Sequence, residues 1–454
     1  MTPRVFRNKK IAVVGLGKSG FCAARFLKKR GAKVRVTEGA SSESAFLNAR
    51  KLRRLGVEVE TGGHTAVFLE GTELVVTSPG VPKESLPLKL ARSQRIPVIS
   101  EIELASRHCR GPVVAVTGSN GKTTTCHLIH RMLADAGQKA FLCGNVGTPF
   151  TSLLSKIRPA SPVVLEVSSF QLEDSPSLRP KIAVLLNVSP NHLDRHKTFK
   201  NYLNAKKNIF RNQTRREILV LNFDRPEVRR MSSEAKASVY FFGKKNIRGK
   251  GVYLRKGKFV FSDGAKKIPL FGVKDFSLQG SHNLENMLAA SLVALLLGVK
   301  AESIHKSLRA FKSLPHRIES LGERRGVSFI NDSKSTTIDS TVAALRAVRG
   351  PVVLLAGGRD KGAPFGSIER VLEKKTRCAV FYGEARKKIA GCFKRYNRYR
   401  LEEDFRKAVR LAFRSAKPGD SVLLSPMCTS FDQFGSYGER GDAFREAVKK
   451  LGAF

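Results

Sequence analysis

The chain has 454 residues, of which 41% are hydrophobic, and its 82 Lys and Arg against 38 Asp and Glu give a formal net charge of +44. At roughly 150 residues per domain the length predicts about three domains, and the hydrophobic content excludes global disorder. The longest apolar run, residues 287–299, is well short of the roughly 20 residues that cross a bilayer. Since the N-terminus also lacks a signal-peptide pattern, the sequence predicts a cytoplasmic protein without a membrane span.

The excess of positive charge leaves two interpretations open, a nucleic-acid-binding protein or an enzyme whose basic surface steers anionic substrates. The densest basic segment, residues 244–258, holds seven Lys and Arg and no acid. Its glycine spacing predicts a hairpin or exposed loop, and it lacks the interleaved aromatic residues of a stacking surface. We therefore favour a solvated basic loop, and nucleic acid is disfavoured as a partner.

The seven cysteines are scattered, with no CxxC pair and no zinc-ligand spacing. This pattern predicts free thiols in a reducing compartment. Cys428 lies in a polar, turn-rich segment that leaves a reactive thiol open as an alternative, but a structural thiol is favoured.

Three apolar runs end in glycine and lead into helical patterns, at residues 11–15, 113–118 and 352–358. This rhythm of strand, turn and helix predicts buried parallel strands and an α/β fold in each third of the chain. Segment boundaries are expected near residues 105–112 and 314–317. The predicted domains are residues 1–105, 106–312 and 313–454.

The second run opens into a phosphate-binding loop, the strongest local signal in the sequence. Its residues are Gly118, Ser119, Asn120, Gly121, Lys122, Thr123 and Thr124. Backbone N–H groups of such a turn face phosphate oxygens, the lysine adds a positive charge, and the following hydroxyl reaches Mg²⁺. The loop therefore predicts ATP binding.

The first run opens into a GxGxxG turn, residues 15–20, and Glu38 ends the next strand-like segment. An acid at this spacing is typical of a ribose-binding position. The pattern alone leaves open NAD binding, binding of another nucleotide, or tight strand–helix packing without a ligand.

The middle third adds candidates for metal binding and acid–base chemistry. Glu166 ends a buried strand beside the phosphate-binding loop, a suitable place for a Mg²⁺ ligand. His192, Asp194 and Arg195 cluster after the next strand, which favours a functional over a structural histidine. Lys206 lies on a predicted helix and would carry no signal by itself in so basic a chain.

These motifs together resemble the Mur ligases from Gly15 to Gly441. The motifs, in the family's order, are TGSNGKTTT, EVSSFQLE, NVSPNHLDRH, YLNAKKNIF, GSHNLEN, LPHRIE, NDSKST, GGRDKGAPF and SPMCTSFDQFGSYGERG. EVSSFQL together with SFDQF and a following aromatic residue is similar to the branch that adds D-glutamate. The resemblance implies an N-terminal Rossmann-like domain, a central P-loop mononucleotide-binding domain and a C-terminal Rossmann-like domain.

The resemblance also implies an ATP-dependent amide ligase of peptidoglycan synthesis, whose substrates are UDP-N-acetylmuramoyl-L-alanine and D-glutamate and whose cofactors are two Mg²⁺ ions and CO₂ bound as a lysine carbamate. It implies three catalytic residues, Lys122, His192 and Lys206. The implied metal ligands are Thr123, Glu166, His192 and carbamylated Lys206. The nucleotide is expected on residues 118–124 and on Asn283, Asn286, Arg317 and Asp332. A monomer is expected.

Two further sets follow from the resemblance. The implied UDP-sugar contacts are Leu16, Gly17, Lys18, Ser19, Gly20, Glu38, Ser78, Pro79, Gly80 and Asn145. The implied D-glutamate contacts are Lys334, Thr336, Lys361, Ser430, Phe431 and Tyr437. The chain departs from the family pattern at Glu38 and Asn191, where Asp and an acid are expected, and at Thr337, where Asn is usual. These departures affect affinity more than identity.

Competing hypotheses make different predictions. A nucleic-acid-stimulated ATPase would account for the charge, but no helicase-like motif set follows the phosphate-binding loop. A dehydrogenase built on residues 15–20 would leave that loop unexplained. Folylpolyglutamate synthase would not need the GxGxxG segment, and the other Mur ligases lack the SFDQF ending.

Overall fold

The computed structural model of the chain describes residues 6–145, 147–190, 193–274, 276, 280–312, 314–360 and 362–451. The chain divides into two compact units. One comprises Met1–Asp275 and Glu285–Arg309, and the other comprises Phe276–Leu284 and Ala310–Phe454. Within the described ranges, two sheets belong to the first unit and one sheet to the second.

The first sheet is parallel throughout, with strand order β3-β2-β1-β4-β5. Its strands are β1 (Lys10–Val14), β2 (Lys33–Glu38), β3 (Glu58–Thr61), β4 (Leu74–Thr77) and β5 (Val98–Ser100). Its helices are α1 (Lys18–Lys29), α2 (Glu43–Arg53), α3 (Leu86–Ser93) and α4 (Glu101–Ser106). Strand order reverses between β1 and β4, so the loops that follow these two strands open into one crevice at the carboxyl edge.

The second sheet has the order β14-β13-β12-β11-β10-β9-β6-β8-β7. Its parallel part is β6 (Val113–Thr117), β7 (Phe141–Gly144), β8 (Val163–Glu166), β9 (Ile182–Leu185), β10 (Ile218–Asn222), β11 (Ser238–Gly243) and β12 (Lys250–Arg255). The helices among these strands are α5 (Lys122–Asp135), α6 (Ser169–Glu173), α7 (Leu193–His196), α8 (Phe199–Lys207) and α9 (Pro226–Arg229). The central strand β6 is buried on both faces, as its run of β-branched residues requires.

Antiparallel strands extend this sheet at one edge. They are β13 (Lys258–Asp263) and β14 (Lys267–Gly272), and the turn at residues 256–257 joins β12 to β13. The basic segment at residues 244–258 therefore contains one arm of a hairpin, as predicted from its glycines. Two helices follow, α10 (Ser281–Leu296) and α11 (Ala301–Ala310). Helix α10 buries most of its apolar residues.

The third sheet has the order β15-β16-β20-β17-β18-β19, parallel except for β15. Its strands are β15 (Glu319–Arg324), β16 (Val327–Asn331), β17 (Val352–Gly357), β18 (Thr376–Tyr382), β19 (Tyr399–Glu402) and β20 (Ser421–Met427). Its helices are α12 (Ile338–Ala347), α13 (Glu369–Lys375), α14 (Arg386–Gly391), α15 (Phe405–Ser415) and α16 (Tyr437–Lys450). Strand β20 separates β16 from β17, so the loops after all three meet at one carboxyl edge.

The α/β class predicted from the sequence is confirmed in each third of the chain, and every described cysteine is a free thiol. Burial raises the pKa of the Cys428 thiol to about 12, which makes it a structural rather than a reactive residue. Within the described residues, no helix combines the length and the apolar character needed to cross a bilayer.

Candidate functional site

The phosphate-binding loop follows β6 and ends at Gly121, which caps α5 with a φ of 86°. A side chain at this position would collide with Asn286, since a Cβ would lie 2.3 Å from the Asn286 Oδ1. Lys122, the first residue of α5, folds back over the loop. Its Nζ donates hydrogen bonds to the carbonyls of Gly118, at 2.8 Å, and Ser119, at 3.1 Å. The loop thus combines a helix N-terminus, a close-packed glycine and a lysine, as an anion site requires.

Residues after β9 bracket the same loop. The Asn187 side chain accepts from the Asn120 N–H at 2.9 Å and donates to the Asn120 carbonyl at 3.1 Å. The Ser119 hydroxyl donates to the Ser189 carbonyl at 3.1 Å and accepts from the Ser189 N–H at 2.9 Å. These contacts hold the loop in one conformation. Asn187 and Ser189 both belong to the motif NVSPNHLDRH, but neither was given a role from the sequence.

Lys206 lies in a closed pocket under the loop. Its side chain is 1% exposed, and its Nζ donates to the Gly118 carbonyl at 3.0 Å. The amine lies 4.6 Å from the centre of the Tyr202 ring, and the Tyr202 hydroxyl is 3.0 Å from the Ser119 hydroxyl. Burial and the charge of Lys122 hold the pKa of Lys206 well below its ordinary value. The pocket therefore favours a neutral amine, which is nucleophilic.

Two of the predicted metal ligands, Glu166 and Thr123, lie at or just after the ends of the adjacent strands β8 and β6. Glu166 ends β8, is buried, and accepts from the Asn145 Nδ2 at 3.1 Å. Thr123 is buried in the first turn of α5. His192 and the neighbouring Asn191 lie outside the described residues. Within the described residues, no group of three His, Cys, Asp or Glu side chains converges as a metal cluster.

The predicted nucleotide residues of α10 are one helical turn apart. Asn286 is buried and also accepts from the Thr125 hydroxyl at 3.3 Å. Asn283 lies in the first turn, where its N–H donates to the Gly280 carbonyl. The structure therefore brings Asn286 to the phosphate-binding loop.

The glycine loop of the first sheet closes on its own domain. Gly15 has a φ of 93°, and the Ser78 hydroxyl donates to its carbonyl at 3.2 Å. The Glu38 carboxylate accepts from the Leu16 N–H at 2.6 Å and from the Ala40 N–H at 2.9 Å. The Glu38 side chain thus holds the turn by accepting hydrogen bonds from the backbone of Leu16 and Ala40.

The other predicted UDP-sugar residues surround this turn. Gly17, which precedes α1, and Lys18, its first residue, are exposed, and Ser19 and Gly20 follow in the first turn. Ser78 is buried after β4, whereas Pro79 and Gly80 are more exposed. These residues share the crevice between β1 and β4. Asn145 differs, because it belongs to the second sheet and contacts Glu166.

The third sheet carries a buried acid at the end of β16. Asp332 accepts from the Ile318 N–H at 3.2 Å and from the Ser425 hydroxyl at 3.0 Å. Burial raises its pKa to about 6, although hydrogen bonds from Ser335 and Ser425 and the charge of Arg317 oppose the rise. Arg317 and Asp332, both predicted nucleotide contacts, therefore lie close together.

The predicted amino-acid residues that the structure describes follow β16 and β20 at the same edge. The Lys334 Nζ is 3.6 Å from the centre of the Tyr437 ring, and Thr336 follows on the same loop. Ser430 is buried after β20, while Phe431 is 58% exposed. Lys361 lies outside the described residues.

Arg440 joins the two loops and was not singled out from the sequence. It is fully buried, and its guanidinium donates to the Ser333 hydroxyl at 3.0 Å, the Ser333 carbonyl at 2.9 Å and the Cys428 carbonyl at 3.3 Å. Ser333 precedes Lys334, and Cys428 lies two residues before Ser430. An arginine inside the motif SPMCTSFDQFGSYGERG was the available signal, but its partner loop is distant in the sequence.

Three α/β sheets with glycine-rich loops at their carboxyl edges, one of them a phosphate-binding loop, define a multidomain nucleotide-dependent enzyme. Family models match along the chain as "Mur ligase MurD-like, N-terminal domain" at residues 9–100, "Mur ligase middle domain" at residues 116–294 and "Mur ligase, glutamate ligase domain" at residues 316–428. The chain belongs to the Mur ligase family, which is a family of ATP-dependent ligases.

Curated relatives match over nearly the whole chain. A UDP-N-acetylmuramoylalanine--D-glutamate ligase from Caldanaerobacter subterraneus is 42% identical, with 98% of this chain and 99% of the relative covered. The protein of the same name from Koribacter versatilis is 41% identical, with 98% of each chain covered.

Solved structures share the fold. A UDP-N-acetylmuramate-alanine ligase MurC from Thermotoga maritima has a TM-score of 0.61 at 19% identity and covers 97% of this chain and 99% of its own. A pseudomurein peptide ligase type C from Methanothermus fervidus has a TM-score of 0.61 at 19% identity, with 98% of this chain and 100% of its own covered.

Proposed function

We propose that this chain uses ATP to join D-glutamate to UDP-N-acetylmuramoyl-L-alanine, as a cytoplasmic monomer in peptidoglycan precursor synthesis. The observation that carries the proposal is the match to ligases of that name, at 42% identity over 98% of the chain. The domain boundaries at residues 105/106 and 312/313 and the roles given to individual residues are part of the proposal.

ATP is assigned to residues 118–124. The backbone N–H groups at the start of α5 face the phosphates, and Lys122 exchanges its carbonyl partners Gly118 and Ser119 for the β- and γ-phosphates. Asn283, Asn286, Arg317 and Asp332 hold the rest of the nucleotide. The burial of Asn286 against Gly121 supports this assignment.

The side chains around the loop suit Mg²⁺. A buried carboxylate, Glu166, and a buried hydroxyl, Thr123, are the hard oxygen donors that this ion prefers. Bound Mg²⁺ supplies positive charge that offsets the negative charge gathering between the phosphates and the substrate carboxylate. A second ion is assigned to His192 and Lys206.

Lys206 becomes a metal ligand by reaction with CO₂. The neutral amine would attack the carbon of CO₂, one C–O π bond would open as the C–N bond forms, and one proton would leave, so that an uncharged side chain becomes a carbamate anion. The burial of Lys206 and the lowered pKa of its amine support this step, because a protonated amine has no lone pair for the attack.

The reaction then proceeds in two steps. An oxygen of the substrate carboxylate attacks the γ-phosphorus of ATP, ADP leaves, and an acyl phosphate forms. The amine of D-glutamate attacks the acyl carbon, and inorganic phosphate and a proton are released as the amide forms. Lys122 counters the repulsion between the two anions in the first step.

The remaining residues orient the two substrates. The UDP-sugar is assigned to residues 16–20, Glu38, residues 78–80 and Asn145. D-Glutamate is assigned to Lys334, Thr336, Lys361, Ser430, Phe431 and Tyr437, where cations and hydroxyls match its carboxylates. The anchoring of both loops by Arg440 supports a fixed amino-acid site.

An amino-acid panel tests the proposal. Phosphate release from ATP is measured with UDP-N-acetylmuramoyl-L-alanine and D-glutamate, L-glutamate, L-lysine or meso-diaminopimelate. We expect release to require both the UDP-sugar and D-glutamate. Equal release with another amino acid would assign the chain to a different ligase, and release stimulated by DNA or RNA would contradict the proposal.

A further inference from the structure

The loop after β4 is tied to the second sheet at two points. The Lys83 Nζ forms an ion pair with the Glu173 Oε1 at 2.6 Å. The Arg195 guanidinium donates to the carbonyls of Pro79, at 3.3 Å, and Val81, at 3.2 Å. We propose that Lys83, Glu173, Arg195 and His196 form a clamp that positions the UDP-sugar loop, residues 78–80, relative to the proposed metal ligand Glu166. This inference rests on the function proposed above.

The second-sheet side of the clamp is rigid. His196 is 3% exposed, with its Nε2 3.0 Å from the Ser169 hydroxyl and its Nδ1 3.4 Å from the Glu173 Oε1. The His196 ring stacks on the Phe170 ring at 5.3 Å between centroids, and the Arg195 guanidinium lies 4.1 Å from the centre of the Phe170 ring. Glu173 is therefore held by the buried His196, and Arg195 by the half-buried ring of Phe170.

The helices that carry the clamp residues follow the strands β8 and β9 of the second sheet, next to the proposed metal ligands. Ser169 and Glu173 are the first and last residues of α6, which follows the β8 strand that ends at Glu166. Arg195 and His196 belong to α7, between β9 and the helix that carries Lys206. The clamp thus fixes the position of the first-sheet loop relative to the elements assigned to the metal ions.

Glu173 is ionised at neutral pH. Burial favours the neutral form of Glu173, but hydrogen bonds from His196 and Lys83 outweigh it and hold the pKa of Glu173 below its ordinary value. Glu173 is therefore an ionised partner for Lys83, whose side chain is 32% exposed.

Other contacts already join the two sheets. The Thr151 N–H and hydroxyl each donate to the Glu101 carboxylate at 2.6 Å, and the Ser100 N–H donates to the Asp174 carbonyl at 2.6 Å. Loss of Lys83 would leave these contacts intact. What the clamp adds is a fixed conformation of the loop, which reduces the ordering cost when the UDP-sugar binds.

Steady-state kinetics of Lys83→Met and Glu173→Gln test the proposal. We expect each variant to raise the KM for UDP-N-acetylmuramoyl-L-alanine about tenfold, since a partly buried ion pair is lost. The KM values for ATP and D-glutamate should stay within about twofold, because those contacts are not part of the clamp. The KM of the double variant for the UDP-sugar should be no higher than that of the more affected single variant. Lys83→Arg should restore most of the wild-type KM.

Glu84→Gln is the matched control, because Glu84 pairs with Lys89 at 3.4 Å on the same segment with both side chains exposed. We expect this variant to match the wild type. An unchanged KM for the UDP-sugar in Lys83→Met, or an equal rise in all three KM values, would overturn the clamp. If Glu173→Gln does not fold, the Lys83 variants on the exposed side decide the question.

The clamp and the proposed function fail differently. A wild-type protein that does not release phosphate with both substrates would overturn the function and the clamp together. An active wild-type protein whose Lys83 variants keep its KM values, even with a lower melting temperature, would overturn the clamp alone.

Discussion

Two glycine loops of the first compact unit, residues 15–20 and 118–121, have the same construction and opposite electrostatics. Each follows a buried central strand at a point where strand order reverses, and each leads into a helix whose first residue is a lysine, Lys18 or Lys122. The first loop receives a carboxylate, since Glu38 accepts from the Leu16 N–H. The second receives an amine, since Lys206 donates to the Gly118 carbonyl.

The difference shows how one backbone motif serves two kinds of ligand. The Glu38 carboxylate occupies the Leu16 N–H at the first loop, so this backbone group is not free to bind a phosphate. Lys122 at the second loop supplies a positive charge and favours a polyphosphate. Charge supplied by neighbouring elements, rather than the glycine pattern, therefore decides what each loop binds. Four pairs of substitutions test this comparison.

The largest effect is expected from replacing, one at a time, the lysines that begin the two helices. Lys122→Ala should lower kcat by about 10³-fold, because a charge that stabilises the transferring phosphoryl group is lost. Lys18→Ala should change kcat by less than about threefold, because its side chain is exposed and its loop is not assigned to the phosphates of ATP. Phosphate-release kinetics measure both. Similar losses in the two variants would break the comparison.

The second effect concerns the buried amine. Lys206→Met should lower kcat by about 10²-fold, since a proposed metal ligand is lost. Short carboxylates such as acetate should restore part of the activity by replacing the carbamate. Lys207→Met is the neighbouring control, since Lys207 pairs with Glu234 at the surface. Full activity of Lys206→Met without added carboxylate would show that the carbamate role is wrong.

A third pair of variants compares the glycines. Gly121→Ala should lower the free energy of unfolding by about 2 kcal/mol, from its left-handed φ and the collision with Asn286. Gly17 has a φ of -70°, and a Cβ added there would have no neighbouring atom within 4 Å, so Gly17→Ala should change the same quantity by less than about 0.5 kcal/mol. Urea unfolding measures both. Equal destabilisation would mean that the loops are equally constrained.

The smallest effect is expected at the first loop's acid. Glu38→Gln leaves one of the N–H groups of Leu16 and Ala40 without its acceptor, which should cost about 1 kcal/mol of unfolding free energy. The KM for the UDP-sugar should rise about threefold as the turn loosens, with the KM for ATP unchanged. Glu43→Gln, at an exposed position of α2, is the control. A larger change in the KM for ATP would contradict the division of ligands between the loops.

Local patterns predicted the elements of the fold well. The apolar runs at β1, β6 and β17, the helix that carries Lys206 and the strand that ends at Glu38 all lie where the sequence placed them. Each of these signals is contained within about 20 residues, which is the range over which periodicity and turn chemistry act.

Contacts between distant segments were not predictable in the same way. Asn187 brackets the phosphate-binding loop from 67 positions away, and Arg440 reaches Ser333 across 107 positions. In a single sequence, an asparagine or an arginine gives no indication of a partner so far along the chain. The substrate roles of the individual residues, including His192 and Lys361 outside the described ranges, stay predictions, as do the domain boundaries.

The anchoring of Ser333 by Arg440 has a consequence for synthesis on the ribosome. At roughly 5 to 20 residues per second, the chain from Ser333 to Arg440 takes on the order of 5 to 20 seconds to make. During most of that time β16 lacks its neighbour β20, the last strand of the third sheet in chain order, so an unpaired edge is exposed. We therefore expect this interval to be when the nascent chain depends most on a chaperone, and when slow codons would be most harmful.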